Sequence, residues 1–294
     1  MRNFIVSDIH GNGNLYYSIM NYMENISETD NVTLYINGDL IDRGKDSAII
    51  LLDLIKRIND KDNHFNIVYL GGNHELLMYQ TFRKRIRGFP VFFNNDWYRN
   101  GGEVTDKGLE EILGNKEKIL EVVDFIANLD LYHVFDEKID DKNIILVHAA
   151  SCINLEQIGD IKIKDNNRNV DYMVWTKEDD SYFPFRCRIG HKDYFSIIGH
   201  TVNESKFGYI YNKKENYLNI DGGSAGYVLG YKKFNHFPLV EVKDGYLRIL
   251  TFNGNNEIIY GTYFKDYNRI LFSEEELNNE RKNLKVRKLN KDMR

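Results

Sequence analysis

Apolar runs and helical stripes alternate through the first quarter of the chain. Phe4-Ile5-Val6 and Leu34-Tyr35-Ile36 are strand-like runs, and between them Leu15, Ile19, Met23 and Ile26 recur at the spacing of one helix face. Ala48 to Ile58 repeats the helical stripe, and NIVYL, Asn66 to Leu70, reads as a third strand. Strand, helix, strand, helix, strand predicts a largely parallel sheet covered by helices. From about Gly88 to Asn128 the pattern becomes irregular and then helical, which predicts a mostly helical cap or insertion near 88–128.

Past residue 140 strand signals dominate: NIILV, FSII, FGYIY, YLNI, FPLVEV and YLRILTF, several joined by short turns such as KDG and NGN. This half reads as antiparallel or mixed, and the whole as an α/β protein. Only three prolines occur and no linker interrupts the chain, so residues 1–272 read as a single domain. Ser273 to Arg294 starts with a cap and an acidic first turn and then becomes basic, the pattern of a charged C-terminal helix or tail.

Composition removes several function classes. The 294 residues carry 39 basic and 44 acidic side chains, a formal charge of −5 with no long basic run, so no nucleic-acid footprint is expected. No run reaches the roughly 18 apolar residues of a membrane span, and the apolar stretch at Phe4 leads straight into a polar turn, so a cytoplasmic protein without a membrane is expected. Cys152 and Cys187 are too few for a disulfide framework or a thiolate metal site and read as core or semi-buried thiols. The 20 tyrosines and 17 phenylalanines read as core and strand residues before they read as base-stacking ones.

Polar clusters follow the apolar runs with a regularity that points to chemistry: FIVSDIHGN, LYINGDLIDRG and IVYLGGNHE, then NIILVHAA and YFSIIGHT. Loops at the carboxyl ends of strands are where ligands collect in open α/β sheets. Asp8, His10, Asp39, Asp42, Arg43, Asn73, His74, Glu75, His148 and His200 can therefore converge from distant parts of the chain. A mixed carboxylate, amide and imidazole set suits manganese first, with iron, zinc or cobalt as alternatives, better than calcium or a structural zinc. Two Asp, one Asn and three His exceed what one tetrahedral ion needs, so two divalent ions sharing a bridging carboxylate are expected. Phosphoryl chemistry then needs a cation for the phosphate and an acid for the leaving group; Arg43 and His74 fit, with Asp42 orienting His74. His148 alone would read as a core histidine, and Asp-Xaa-His alone as a turn; the ordered combination reads as one site.

SDIHG, NGDLIDRG, GGNHE, VHAA and IIGHT, in this order, resemble the five motifs of the calcineurin-like metallophosphoesterases. More narrowly they resemble the bacterial and phage branch of the phosphoprotein phosphatases, which includes lambda phage phosphatase and the diadenosine tetraphosphatases. The likeness spans Asn3 to Gly230, and WYRNGGEVT and LNIDGGSAGYVLG add to it. It implies a sandwich of two mixed β-sheets flanked by helices, with metals at the strand ends. It implies Asp8 and His10 on the first ion, Asp39 bridging, and Asn73, His148 and His200 on the second. It further implies Arg43 on phosphate beside Asn73, and His74 as general acid paired with Asp42.

Two departures stand out. Ser7 replaces a glycine common in the first motif, a small change. A second phosphate-binding arginine is expected within Trp-Xaa-Arg, but VWTKEDD offers Lys177, which neutralises phosphate without a two-pronged grip. Lys177 therefore takes that place, or Arg186 or Arg188 replaces it. Asp42 and Glu75, which some diadenosine tetraphosphatases lack, favour a serine/threonine protein phosphatase acting on a phosphorylated protein or small phosphorylated substrate. Dinucleoside polyphosphate hydrolysis is the alternative; an inactive binding module is disfavoured because no ligand is lost. Of the two Ile-Gly-His copies, the one ending at His200 follows a buried-strand run and is assigned as a ligand, while His191 sits in polar surroundings at the rim.

Overall fold

The structure is a computed structural model and describes residues 1–90, 95–152, 159–177, 187–188, 190, 193–265 and 268–284, with the backbone alone at Cys152, Cys187 and Arg188. The expected strand and helix alternation forms the first third: β1 (Arg2–Val6), α1 (Gly13–Ser27), β2 (Val32–Asn37), α2 (Ser47–Asn59), β3 (Asn66–Leu70) and α3 (Asn73–Ile86). The described part of the 88–128 segment carries α4 (Asp96–Arg99), α5 (Glu103–Leu113) and α6 (Lys116–Ala127). Its apolar faces do not stand apart, since Trp97, Leu109, Val122 and Ile126 join the larger core. Next come β4 (Tyr132–Ile139), β5 (Lys142–Val147), β6 (Ser151–Cys152), α7 (Arg168–Trp175), β7 (Cys187–Arg188), β8 (Tyr194–Ile198), β9 (Ile210–Asn212), β10 (Tyr217–Asn219) and α8 (Ser224–Val228). The chain continues with β11 (His236–Lys243), β12 (Tyr246–Asn253), β13 (Ile258–Lys265), β14 (Asn268–Leu271) and α9 (Glu274–Asn283).

Two mixed sheets result, as expected. One has seven strands in the order β14-β13-β12-β11-β1-β2-β3, the other five in the order β4-β5-β8-β10-β9. β1, β2 and β3 run parallel at one end of the first sheet. In the second, β8 runs parallel to both β5 and β10. The carboxyl ends of these parallel strands lead into polar loops.

The alternation of side chains along a strand divides each sequence run between two cores. Phe4 and Val6, Leu34 and Ile36, and Ile145 and Val147 face the helical layers. Ile5, Tyr35, Ile144 and Leu146 face the opposite way and meet Val240, Ile249, Phe195 and Leu218 between the sheets. This is why the parallel strands read as unbroken apolar runs: both faces are covered. Strands β4, β13 and β14 escaped the sequence reading: β4 and β14 are edge strands with weak alternation, β14 being exposed throughout, whereas β13 is an inner strand.

Glu241 is a charged residue within the sheet, only 1% exposed. It stands between Phe4 on β1 and Arg248 on β12. Its carboxylate pairs with Arg2 Nε at 2.7 Å, Arg248 Nη1 at 2.8 Å and Lys243 Nζ at 3.0 Å. Arg248 in turn pairs with Glu280, which ties α9 to the sheet. Tyr22 on α1 also donates to Glu280, at 2.5 Å, and Leu277 reaches the larger core. No helix among the described residues is long and apolar enough to cross a membrane.

Burial pushes the Glu241 carboxyl up, but Arg2 and Arg248 outweigh it, and the net shift is downward. A depressed native value means stability that is complete above the ordinary carboxylate range and lost as pH falls through the native value. Glu241→Gln should therefore cost about 3 kcal/mol at neutral pH, because Arg2, Lys243 and Arg248 lose the buried carboxylate between them. Chemical denaturation at pH 7 and pH 3 checks this: the gap between variant and parent should narrow at the lower pH.

Candidate metal and phosphate site

The backbone itself marks the site. Asp8 (φ 55°), His10 (φ 49°), Asp39 (φ 52°), Asp42 (φ 73°), Arg43 (φ 69°) and His200 (φ 66°) all lie in the left-handed region. For residues with a Cβ this costs about 1 kcal/mol each, and such strain collects where function demands it. Space is equally tight: a Cβ on Gly199 would lie 2.1 Å from Asp8 Oδ2.

Asp39 is the centre. It follows β2 and is 2% exposed. One carboxylate oxygen, Oδ2, lies 3.5 Å from His10 Nε2 and 3.9 Å from His74 Nε2. The other, Oδ1, lies 3.4 Å from His148 Nε2 and accepts the His74 backbone N–H at 3.0 Å. Two groups of possible metal ligands therefore form, His10-Asp39-His74 and Asp39-His148-His200, with Asp39 in both. Asn73 Oδ1 adds to the second group, 3.1 Å from His148 Nε2 and 2.9 Å from His200 Nδ1.

Each histidine is aimed by what its other nitrogen touches. His10 Nδ1 donates to the Ile41 carbonyl at 3.0 Å and His148 Nδ1 to the Asn37 carbonyl at 2.8 Å. Backbone acceptors of this kind fix the tautomer and leave Nε2 facing the site. His200 Nε2 is buried without a hydrogen-bond partner.

Asp8, two residues past β1, lies outside both groups. Its two oxygens each accept the His200 backbone N–H at 3.1 Å, and Ser7 Oγ donates to Oδ2 at 2.5 Å. The serine in the first motif thus has a task, which a glycine there could not perform.

Arg43 and His74 stand beside Asp39. Arg43 reaches His10 Nε2 at 3.4 Å and His74 Nε2 at 3.1 Å. His74 Nδ1 lies 2.7 Å from Asp42 Oδ2, both fully buried. Asp42 also accepts from Trp97 Nε1 at 2.8 Å and Thr105 Oγ1 at 2.5 Å. WYRNGGEVT therefore belongs to the site through its first and last residues.

Burial works against every charge here, and the partners decide the outcome. Burial, with Asp221 adding to it, holds the Asp8 carboxyl well above its ordinary range. Asp39 goes the other way: burial would raise it, but the surrounding imidazoles, His148 first, bring it well below. Burial, helped by His74, keeps His10 neutral, and burial with His148 takes His200 down to about 3. His148 is raised to about 10 because Asp39 outweighs burial. His74 is also raised, as Asp39 and Asp42 overcome burial.

This chemistry fits divalent cations. His10 and His200 are held neutral, the ligating form of an imidazole, His200 has an orphaned buried nitrogen, and the buried acids outnumber the guanidinium beside them. Mixed nitrogen and oxygen donors match borderline metals.

Two roles went unread in the sequence. Glu75 clamps the loops: its carboxylate accepts from the N–H groups of Asp39 at 2.8 Å, Gly72 at 2.9 Å and Leu40 at 3.1 Å, and from Tyr69 OH at 2.6 Å. Asp221 lies just past β10, in step with His200 beyond β8, because Asn219 pairs with Ile198. Burial first, with Asp39 contributing, raises it to about 6. The signal was present in YLNID, an apolar run followed by an acid.

Lys177 is exposed just beyond α7, and its charge contributes to the lowered His200 value. Arg186, the Arg188 side chain and His191 lie outside the described residues, as do the Cys152 and Cys187 side chains.

The model of the calcineurin-like phosphoesterases matches residues 1–222. The chain belongs to that family. Among curated proteins none matches it. Matches among solved structures include a cold-active protein-tyrosine phosphatase of a psychrophilic Shewanella species, at 13% identity, TM-score 0.48, covering 92% of this chain and 80% of that one. A protein serine/threonine phosphatase from Saccharomyces cerevisiae, similar to human phosphatase PP5, matches at 13% identity and TM-score 0.47, over 83% of this chain and 73% of its own. Membership makes the chain a metal-dependent phosphoesterase; the substrate is a separate question.

Elemental analysis of purified variants checks the ligand set. His200→Ala should lower the metal bound per chain, and His191→Ala should leave it unchanged; depletion in the His191 variant alone would reverse the assignment.

Proposed function

We propose that the protein is a two-metal phosphomonoesterase acting on phosphoserine and phosphothreonine in proteins. The observation that carries this reading is the position of Asp39, common to both candidate ligand groups, with a buried acid–imidazole pair and a guanidinium alongside.

Asp8, His10, Asp39, Asn73, His148 and His200 would hold the two ions, Asp39 serving both. Manganese suits this set first, with iron, zinc or cobalt as alternatives. Such ions acidify a water and neutralise phosphoryl charge when bound.

The protein's own groups do the rest. Arg43 binds phosphate oxygens through its fork of donors, with Asn73 and Lys177 contributing. Loose phosphoryl transition states need charge stabilisation above all, which a guanidinium in a dry site supplies. His74 gives a proton from Nε2 to the departing oxygen, while Asp42 holds Nδ1–H and keeps the ring in that orientation. Neither step needs a covalent intermediate. Asp42 and Glu75 favour the protein-phosphatase reading over dinucleoside polyphosphate hydrolysis.

With manganese added, the purified protein should release phosphate from phosphoserine and phosphothreonine peptides faster than from a phosphotyrosine peptide or diadenosine tetraphosphate. Preference for diadenosine tetraphosphate would overturn the substrate assignment, and no release from any of them would overturn the enzymatic reading. Asp39→Asn should abolish nearly all turnover, and retained activity would refute the shared carboxylate.

Lys177→Ala should raise KM about tenfold, the worth of one charge-assisted contact. An unchanged kcat/KM would remove Lys177 from phosphate binding.

A further inference from the structure

We propose that Trp97 and Thr105 are positioning residues for the proton-donating step, acting through Asp42 on His74. The inference rests on the phosphomonoesterase reading above and extends it to the helical 88–128 segment.

Asp42 is fully buried, so each carboxylate oxygen needs donors that the protein must provide. Oδ2 receives His74 Nδ1 and Trp97 Nε1, and Oδ1 receives Thr105 Oγ1. An indole N–H can only donate. Its presence therefore makes Oδ2 an acceptor, and His74 must carry its hydrogen on Nδ1, which leaves Nε2 as the nitrogen that faces Asp39 and Arg43. Thr105 adds a second constraint, because its hydroxyl oxygen also accepts the Asp42 backbone N–H at 3.1 Å and so closes a small ring around that residue. Donors on both oxygens oppose rotation of the carboxylate.

The donors themselves have little freedom. Trp97 and Thr105 are both fully buried. The indole packs against Phe82 with ring centroids 5.7 Å apart, and a Cβ on Gly102 would lie 2.2 Å from Trp97 Nε1. The backbone between them also touches the site, since Arg43 N donates to the Gly101 carbonyl at 3.1 Å. WYRNGGEVT is thus a short brace with an indole at one end and a hydroxyl at the other.

The chemistry gives a discriminating test. In the step itself water oxygen bonds to phosphorus and gives up one proton to solvent, the phosphorus–ester oxygen bond breaks, the departing oxygen takes the proton from His74 Nε2, and solvent then returns a proton to His74. An alkyl leaving group needs that proton and a dinitrophenolate does not. Trp97→Phe and Thr105→Val should each lower kcat on a phosphoserine peptide by about tenfold or more, a fraction of the range for general acid catalysis, while kcat on 2,4-dinitrophenyl phosphate changes by less than about threefold. Thr105→Ser, which restores the hydroxyl, should recover the peptide activity, and His74→Asn should show the same selective loss on a larger scale. An equal fall on both substrates would assign the two residues a general structural role and overturn the proposal, as would no fall on either. Should Trp97→Phe fail to fold, the Thr105→Val and Thr105→Ser pair decides between these outcomes without it. Absence of turnover of both esters by the parent protein would instead refute the phosphomonoesterase reading beneath the proposal.

Discussion

The loops after β2 and β3 depend on one buried carboxylate. Glu75 accepts hydrogen bonds from the backbone of Asp39, Leu40 and Gly72, and so ties the loop after β2 to the loop after β3. Unpaired buried N–H groups are expensive, and here three of them share one acceptor residue. The same residue sits in the first turn of α3, which carries Asn73 and His74. Asp39, Asn73 and His74 are therefore held in mutual register by a side chain in the layer behind them.

The site is built to hold positive charge. Asp8, Asp39, Asp42, Glu75 and Asp221 are all buried, and burial lifts Asp8 and Asp221 above the ordinary carboxylate range. Asp39 escapes because imidazoles surround it. A cation entering this group relieves mutual repulsion as well as gaining ligands, which is a physical reason for the family's dependence on metals.

Much of this was legible in the sequence. The parallel strands were readable because both faces are covered, and each apolar run ended in a polar cluster that the fold does bring together. His148 and Asn73, separated by 75 positions in the chain, lie 3.1 Å apart. Edge strands β4 and β14 were not readable, since their exposed positions blur the alternation that marks a strand, while β3, also at an edge, was. Trp97 and Thr105 could not be linked to Asp42 from sequence, because hydrogen bonds between distant loops leave no periodic trace. Asp221 followed the same pattern as the five motifs, but a strand of only three residues gave it a faint one.

The left-handed residues of the site bear on how it could be moved or copied. Asp8, Asp39, Asp42, Arg43 and His200 each bend the chain sharply in the loops beyond the strand ends, so their side chains project from a tight bend and not from a regular element. A set of the same side chains grafted onto ideal helices or strands of another scaffold would point elsewhere. The transferable unit is the loop with its dihedral angles, together with the carboxylate clamp that keeps the strained conformation from relaxing.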